Sequence, residues 1–188
     1  MFDAPIVHLG GTGLLRRLDG LASVTLLREA KARGCVVTFD LIAASAETAA
    51  VVNPLLPFID YFMPSLEEAR DMSGQSTPED CASFYLDHGA TACVFTLGAE
   101  GAYYAHSDGT RLSSPAYDIQ VVDTTGCGDA FDAGFITAPH HQMDVETSLR
   151  FAQAAAGLVA SGLGSDAGIV SFDGTMETMR TWKIKAGR

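Results

Sequence analysis

The chain lacks the paired cysteines and the cysteine–histidine clusters of a zinc site. Its four cysteines, Cys35, Cys81, Cys93 and Cys127, include no C-x-x-C pair, and none has a histidine partner at zinc-ligand spacing. Cys35 and Cys93 lie in apolar runs, which predicts buried side chains. Zinc modules are therefore disfavoured, and the pattern fits a reducing compartment, so we predict a cytoplasmic protein.

Basic residues are also scarce. The chain has 12 lysines and arginines against 23 acidic residues, which gives a net charge of −11. A nucleic acid would be repelled on average, so we predict no nucleic-acid partner. A small anionic ligand would have to be held by backbone N–H groups and helix N-termini rather than by a basic surface.

Long apolar runs and several common motifs are missing. No stretch approaches the length of a membrane span, so we predict no membrane partner. The segment Met1–Pro5 has neither the basic region nor the apolar core of a signal peptide. The Walker A string G-x-x-x-x-G-K-[ST] is absent, which disfavours a P-loop kinase. Gly11-Thr12-Gly13 lacks the third glycine of a dinucleotide fingerprint, and we predict a turn over residues 10–13.

Strand-like and helix-like segments alternate along the 188 residues, a length that favours one domain. We predict strands at 6–9, 36–39, 61–63, 93–97, 101–105 and 118–122, and helices at 21–33, 46–55, from Ser65, from Thr77 to Gly89, at 126–138 and at 144–163. The pair 93–97 and 101–105 flanks a short glycine turn and should be antiparallel. The alternation predicts a three-layer α/β fold, with a mostly parallel sheet, helices on both faces, and ligands outside the carboxyl ends of the strands.

The strongest chemical feature is the string D-T-T-G-C-G-D over Asp123–Asp129, which lies between a predicted strand and an apolar helix. Gly126 and Gly128 allow the backbone to turn sharply and a ligand to approach. The first N–H groups of the helix, together with its dipole, form an anion site. Asp129 lies in the first turn, where a carboxylate can accept the proton of an attacking hydroxyl. The alternative is an ordinary glycine turn with a favourable acid, and the length of the string makes this the minority interpretation.

Three weaker segments add to this pattern. In Thr96–Gly101, Gly98 would give a ligand access to a strand end, although a plain hairpin turn explains the glycines about equally well. Ser65 and Glu68 have the S-x-x-E spacing of a capping box, which is an explanation of equal weight to a ligand role. Asp40 stands at the carboxyl end of an apolar strand, where ligands bind in such folds, and is a weaker candidate for a ligand site.

The string D-T-T-G-C-G-D-A-F resembles the signature D-T-x-G-A-G-D-x-F of ribokinase-type carbohydrate kinases, the PfkB family, with Cys127 in place of the usual alanine. The resemblance implies that Asp129 is the catalytic base and that Gly126, Cys127 and Gly128 form an anion hole. It also implies that Asp123 and Thr125 lie beside that hole, with Asp123 at a position that helps some members hold a monovalent cation such as K⁺.

Other segments resemble the same family. Thr96, Gly98 and Gly101 match its nucleotide loop T-L-G-x-x-G. The segment Pro64–Ala69 resembles P-N-x-x-E-A, whose glutamate helps to organise Mg²⁺, so the resemblance implies this role for Glu68, although Ser65 replaces the asparagine. Ala155, within Ala154–Ala156, and the later Gly162-Leu163-Gly164 resemble the helix and turn that close over the nucleotide base.

The resemblance implies ATP-dependent phosphorylation of a sugar hydroxyl, with ATP and Mg²⁺ as cofactors. Two alternatives stay open at this point: a kinase for a vitamin-precursor alcohol, and a catalytically silent nucleotide-binding fragment. Complete family members are longer at the N-terminus, so we expect residues 1–188 to form a single truncated ribokinase-like domain without the first strands and the lid. Such a domain would expose a sheet edge that favours self-association, and it would be a poor catalyst.

Overall fold

A computed structural model describes residues 4–42 and 44–185. The chain forms two compact units. The first unit comprises Met1–Thr96 and Tyr103–Arg111, and the second comprises Leu97–Ala102 and Leu112–Arg188.

The first unit carries most of the sheet. Its elements are β1 (Ile6–Thr12), α1 (Leu21–Ala32), β2 (Val36–Leu41), α2 (Ala46–Val52) with a 3₁₀ turn (Asn53–Phe58), β3 (Tyr61–Phe62), α3 (Leu66–Ser73), α4 (Pro78–Asp87), β4 (Ala92–Thr96) and β5 (Ala102–His106). Strands β1 to β4 pair in parallel and in chain order, within a six-stranded sheet whose last strand in the chain is β6 (Arg111–Ser114). The predicted α/β class and the mostly parallel sheet are confirmed.

The hairpin from β4 to β5 runs antiparallel, as the short glycine turn predicts. The Ser107 N–H donates to the Thr91 carbonyl at 3.0 Å, and the Leu97 N–H donates to the Gly101 carbonyl at 2.8 Å. These two bonds lie at opposite ends of the hairpin. The residue numbers of the two bonded pairs add up to the same value, which is the pattern of an antiparallel pair without a register shift. The hairpin therefore reverses the chain after four parallel strands.

Large side chains fill the core of the first unit. Phe39, Phe62 and Tyr85 are fully buried, and the Phe62 and Tyr85 rings lie 4.5 Å apart. The Tyr85 hydroxyl donates to the Ala69 carbonyl at 2.8 Å, so its polar atom is satisfied inside the core. Burial raises the pKa of Tyr85 well above its ordinary value, which keeps the phenol neutral. The predicted burial of Cys93 is also confirmed.

The second unit is mainly helical. It contains α5 (Cys127–His140), α6 (Val145–Ala160) and α7 (Phe172–Thr181). Helices α5 and α6 pack closely at Gly134, where a β-carbon would lie 2.8 Å from the Ala152 Cα. After α7, Ile184 forms an antiparallel bridge with Tyr117. The last described residues of the chain are thereby attached to the segment that leads to the D-T-T-G-C-G-D string.

Two sequence predictions are wrong. The segment 118–122 is not a strand: its Val122 N–H donates to the Ala160 carbonyl at the end of α6, at 2.7 Å, instead of joining a ladder. The predicted turn at residues 10–13 is in large part strand, because β1 continues to Thr12. An irregular register between Leu9 and Thr12 absorbs Gly11, whose φ of 77° is left-handed.

Two elements have no counterpart in the sequence predictions. Strand β6 is four residues long and mostly exposed, so it carries no clear apolar alternation. In helix α7, whose residues are all described, the buried side chains are Thr175 and Met179, so its apolar stripe is narrow. Short or mostly exposed elements leave little hydrophobic periodicity in the sequence.

Candidate functional site

The D-T-T-G-C-G-D string forms a tight turn that ends in the N-terminus of α5. The Asp123 Oδ1 accepts hydrogen bonds from the Thr125 N–H at 3.0 Å and from the Thr125 hydroxyl at 2.8 Å. Gly126 is the N-cap residue of α5 with a left-handed φ of 80°, and its carbonyl accepts the Ala130 N–H at 2.9 Å. A carboxylate-capped turn and a glycine in left-handed conformation therefore start the helix.

The backbone N–H groups of this turn differ in availability. The Cys127 N–H donates to the Thr124 carbonyl at 3.2 Å. Within residues 4–42 and 44–185, the N–H groups of Gly128 and Asp129 donate to no backbone carbonyl. These two groups lie at the positive end of a 14-residue helix. The arrangement suits an anion better at Gly128 and Asp129 than at Cys127.

The two glycines of the turn meet different surroundings. A β-carbon at Gly126 would lie 2.6 Å from the Cα of Ser165, so only glycine fits there. A β-carbon at Gly128 would meet no atom within 4 Å. Gly126 is therefore required for packing, whereas Gly128 faces open space that a ligand can enter.

The charges in the turn are set by local hydrogen bonds and burial. The Thr125 N–H and hydroxyl lower the pKa of Asp123, so this carboxyl is an anion at neutral pH. Burial, followed by the negative charge of Asp123, raises the pKa of the Cys127 thiol. Cys127 therefore stays neutral and acts as a small uncharged side chain. Asp129 is exposed in the first turn of α5, where its carboxylate faces solvent.

The loop after α6 lies against this turn. The Gly164 nitrogen is 3.5 Å from the Asp123 Oδ2, and Ser165 packs against Gly126. The sequence had indicated Gly162-Leu163-Gly164 as a turn near a nucleotide base, and the structure places part of it beside Asp123. Ser165 is a contact that the sequence analysis missed, since a lone serine carries no distinctive signal.

The segment Thr96–Gly101 forms a single 3₁₀ turn over Gly98–Glu100. Gly98 has a left-handed φ of 57°, and a β-carbon on it would meet no atom within 4 Å. Gly101 has a φ of 107°, and a β-carbon on it would lie 2.0 Å from the Ser114 carbonyl oxygen. Gly98 therefore faces open space, and Gly101 is required where two backbone segments touch.

Helix α6 presents its small residues to neighbouring elements of the second unit. Ala155 is 4% exposed, and its Cβ would lie 3.3 Å from a β-carbon on Gly134 of α5. The Gln153 Nε2 donates to the carbonyl and the hydroxyl of Ser114, at 3.0 and 2.6 Å. Ala155 therefore contributes to helix packing, and its predicted contact with a nucleotide base stays a prediction.

In the first unit, Ser65 and Glu68 form the predicted capping box at the start of α3. The Glu68 Oε2 accepts from the Ser65 N–H at 2.9 Å and from the Ser65 hydroxyl at 2.7 Å, and the Ser65 Oγ accepts the Glu68 N–H at 3.2 Å. Thr96 ends β4 and forms a parallel bridge with Ser65. Asp40 lies inside β2, one residue before its end. The ligand roles of these residues stay predictions.

In residues 4–42 and 44–185, no three His, Cys, Asp or Glu side chains are grouped so that they could hold a metal ion. Over the same ranges, no helix has the length and apolar content needed to cross a membrane.

The sequence of the chain is similar to the sequences of carbohydrate kinases. The family model for pfkB family carbohydrate kinases matches residues 1–171. A ribokinase from Haemophilus influenzae is 30% identical over 130 residues, which are 66% of this chain and 42% of that enzyme. The chain thus spans less than half the length of this curated relative.

Solved structures show the same fold. A protein from E. coli described as a Ribokinase II, in complex with ATP and Mg²⁺, has a TM-score of 0.81 at 24% identity, over 95% of this chain and 59% of that one. A fructokinase double mutant from Vibrio cholerae O395, with fructose, ADP and potassium ion bound, has a TM-score of 0.78 at 20% identity, over 92% of this chain and 59% of that one. At these identities the likeness establishes the fold, and it confirms the ribokinase-type architecture.

Proposed function

The chain belongs to the pfkB family of carbohydrate kinases, and we propose that it carries the nucleotide half of a kinase that transfers a phosphoryl group from ATP to a sugar hydroxyl. One observation carries this proposal. At the start of α5, an exposed carboxylate at Asp129 stands beside the N–H groups of Gly128 and Asp129, which donate to no backbone carbonyl of the described residues, and the space at Gly128 is open. An acid–base group next to an anion site is what phosphoryl transfer to an alcohol requires.

Asp129 is proposed as the general base. Its carboxylate accepts the proton of the sugar hydroxyl as the hydroxyl oxygen forms a bond to the γ-phosphorus of ATP. The bond from that phosphorus to the β,γ-bridging oxygen breaks, and ADP leaves with the bond's electron pair. The exposed position of Asp129 in the first turn of α5 supports this role, since an acceptor can approach its carboxylate from solvent.

The anion hole is proposed over Gly126, Cys127 and Gly128. The space at Gly128 is open, and the N–H groups of Gly128 and Asp129 donate to no backbone carbonyl in the part of the chain that the structure describes, so both observations favour the half of this hole nearer the helix. The Cys127 N–H is the least available, because the Thr124 carbonyl holds it at 3.2 Å. Charge on the transferring group would be stabilised by these dipoles without reorganisation of the protein.

ATP, Mg²⁺ and K⁺ are the proposed cofactors. Gly98 and Thr125 lie on the two exposed turns of the second unit, and the open face of Gly98 supports a role in nucleotide binding. Glu68 is the residue that would contribute a ligand to Mg²⁺, and the bound ion would neutralise charge on the phosphates of ATP. The Glu68 Oε2 already serves the capping box, so only the second carboxylate oxygen would be available to the ion.

A monovalent cation at Asp123 fits the charge of that residue. Its lowered pKa leaves a carboxylate anion at neutral pH, and the Oδ2 accepts the Gly164 N–H at 3.5 Å, which is long for a hydrogen bond. The Oδ1 is the less available oxygen, because it accepts two bonds from Thr125. We therefore propose the Oδ2 as the oxygen that K⁺ would contact.

The test combines binding and turnover. Calorimetry would measure ATP·Mg²⁺ binding to the chain and to Asp129→Ala, and a coupled assay would follow ADP release with a panel of small sugars. We expect both proteins to bind ATP·Mg²⁺, and sugar-dependent turnover, slow in this chain, to be lost in Asp129→Ala.

Other results would change the conclusion. Binding without any turnover would identify a nucleotide-binding protein that does not catalyse transfer on its own. A folded sample that binds no ATP·Mg²⁺ would overturn the proposed function and leave family membership as ancestry alone.

A further inference from the structure

The four residues after α7 form an extended segment, Trp182–Lys185, which we call the C-terminal strap. Its backbone pairs with the segment that precedes the D-T-T-G-C-G-D string. The Asp118 N–H donates to the Lys183 carbonyl at 2.8 Å, and the Lys185 N–H donates to the Ala116 carbonyl at 2.8 Å. The strap is therefore held by the two backbone hydrogen bonds of one isolated antiparallel bridge between Tyr117 and Ile184.

Trp182 anchors the start of the strap in the helical layer. A β-carbon at Gly157 of α6 would lie 2.7 Å from the Trp182 Cζ3, so the indole lies directly on the backbone of that helix. The Trp182 ring also meets the Tyr117 ring edge-on, with centroids 5.9 Å apart. Aromatic burial of this kind fixes the direction in which the strap leaves α7.

Lys185 brings the end of the strap to the turn that contains Gly98. Its Nζ donates to the Ala99 carbonyl at 3.2 Å, across 86 residues of sequence. Ala99 is the middle residue of the 3₁₀ turn Gly98–Glu100. An ammonium group on a carbonyl of a short helical turn is a charge-assisted hydrogen bond, and it favours the turn over alternative backbone conformations.

The same turn is supported from another direction by Gly101. A β-carbon there would lie 2.0 Å from the Ser114 carbonyl oxygen and 2.8 Å from the Ala116 nitrogen. Ala116 is the residue whose carbonyl accepts the Lys185 N–H. The turn, the Ser114–Ala116 segment and the strap thus form one connected group of backbone contacts, and Lys185 is the side chain that links the strap to the turn.

We propose that Lys185 is a positioning residue for nucleotide binding, which holds the Gly98–Glu100 turn so that the open face of Gly98 keeps its shape before ATP arrives. This inference rests on the proposed function, because it assigns the turn to the nucleotide. Lys185 acts through Ala99 and needs no contact with the nucleotide itself. A preorganised turn lowers the ordering cost of binding, so loss of the contact weakens affinity for ATP and leaves the rate of chemistry alone.

The experiment compares Lys185→Met with Lys183→Met, which removes the same charge from a neighbouring exposed residue of the strap. Lys185→Arg restores a cationic donor. Residue-resolved amide exchange in the absence of nucleotide reports on the turn through the N–H groups of Glu100 and Gly101, which donate to Leu97 and Gly98. Fluorescence of Trp182, the chain's one tryptophan, reports whether the strap stays docked.

We expect Lys185→Met to speed exchange at Glu100 and Gly101 about threefold or more, and to weaken ATP·Mg²⁺ binding about three- to tenfold with kcat unchanged. Lys183→Met should match the unmodified chain, Lys185→Arg should recover most of the loss, and Trp182 emission should not shift.

Exchange rates in Lys185→Met equal to those in Lys183→Met would overturn the proposal, whatever happens to ATP binding. Faster exchange with unchanged affinity would also overturn it, since the turn would then be held without serving the nucleotide. If the unmodified chain binds no ATP·Mg²⁺, the proposed function fails on that measurement, and the exchange rates alone decide whether Lys185 holds the turn.

Discussion

The two units differ in whether the residues described above are satisfied by contacts within the chain or remain open to a ligand. In the first unit, Ser65 and Glu68 satisfy each other in a capping box, and Tyr85 buries its hydroxyl with a carbonyl partner. In the second unit, Gly98 and Gly128 face open space. Groups that are satisfied by their own chain stabilise the fold, whereas groups left open beside a helix N-terminus are available to a ligand. This difference distinguishes residues that stabilise the fold from residues that are available to a ligand, and it does not depend on a measurement of activity.

We expect the largest effect on activity from a substitution of Asp129, the exposed carboxylate at the start of α5. Asp129→Asn keeps the shape of the side chain and removes its basicity, so kcat for sugar phosphorylation should fall about 10²- to 10⁴-fold. ATP affinity and the midpoint of urea unfolding should not change. Asp173→Asn is a matched control, because Asp173 is also an exposed acid in the first turn of a helix, α7. Equal losses of activity in the two variants would contradict the role of Asp129.

The next effect separates two glycines of one turn. Gly126→Ala should lower the free energy of unfolding by about 2–4 kcal/mol, because a methyl group would meet Ser165 and the backbone is left-handed. Gly128→Ala should change it by less than about 0.5 kcal/mol, since its surroundings are open. Urea unfolding measures both values.

Affinity should follow the opposite order at these glycines. The methyl group of Gly128→Ala would enter the space proposed for the phosphate, so ATP binding should weaken roughly tenfold, a cost typical of overpacking. If calorimetry shows full ATP affinity in this folded variant, the anion site does not lie at Gly128.

A smaller loss of stability is expected when one helix N-cap in each unit is removed. Ser65→Ala and Ser171→Ala each remove a side chain that accepts an N–H group at a helix start, so each should cost about 1 kcal/mol of stability. Chemical unfolding curves check this expectation. Neither change should alter ATP·Mg²⁺ affinity if capping is the whole role of each serine.

Glu68→Gln sharpens the comparison, because the amide oxygen can still accept from Ser65 while the charge is lost. The predicted contribution of Glu68 to Mg²⁺ requires weaker binding of ATP·Mg²⁺ in this variant at unchanged stability. Unchanged affinity across a magnesium titration would leave Glu68 as a helix cap alone.

The smallest effect concerns pH. Because the folded-state pKa of Asp123 is lowered by Thr125, its carboxylate adds stability above the ordinary pKa of an aspartate, and this stability is lost as the pH falls through the lowered value. Asp123→Asn should remove that acid-side loss. Thermal unfolding of both proteins from pH 7 down to about pH 3 measures the difference, and parallel curves would show that the Thr125 contacts do not persist in solution.

The success of the sequence predictions depended on how local each feature is. Helix α1, which has a clear apolar periodicity, and helix α4, which starts with Thr77-Pro78, lie where they were predicted. Helix α5 also lies there, beginning directly after Gly126. The capping box at Ser65 also follows from residues only three positions apart. Strand β6 and helix α7 were missed because their exposed faces carry little apolar pattern.

The predicted strand at 118–122 shows the limit of such patterns. Its Ile, Val and Val residues have strand propensity, yet Val121 and Val122 are about half exposed and the Val122 N–H is taken by the end of α6. Strand propensity describes a side chain that fits a sheet, and it does not provide a partner strand.

By itself the sequence determined the alternation of strands and helices, the glycine turn before α5, the capping box, and the resemblance that the family match confirmed. These features depend on residues within a few positions of one another, so the interactions that produce them can be inferred from short stretches of sequence. Only the tertiary structure decided that Gly126 packs on Ser165 while Gly128 stays open, that Gly101 touches Ser114, and that Lys185 reaches Ala99. Such contacts join segments that are far apart in the chain, and their distances are fixed only when the whole fold brings those segments together.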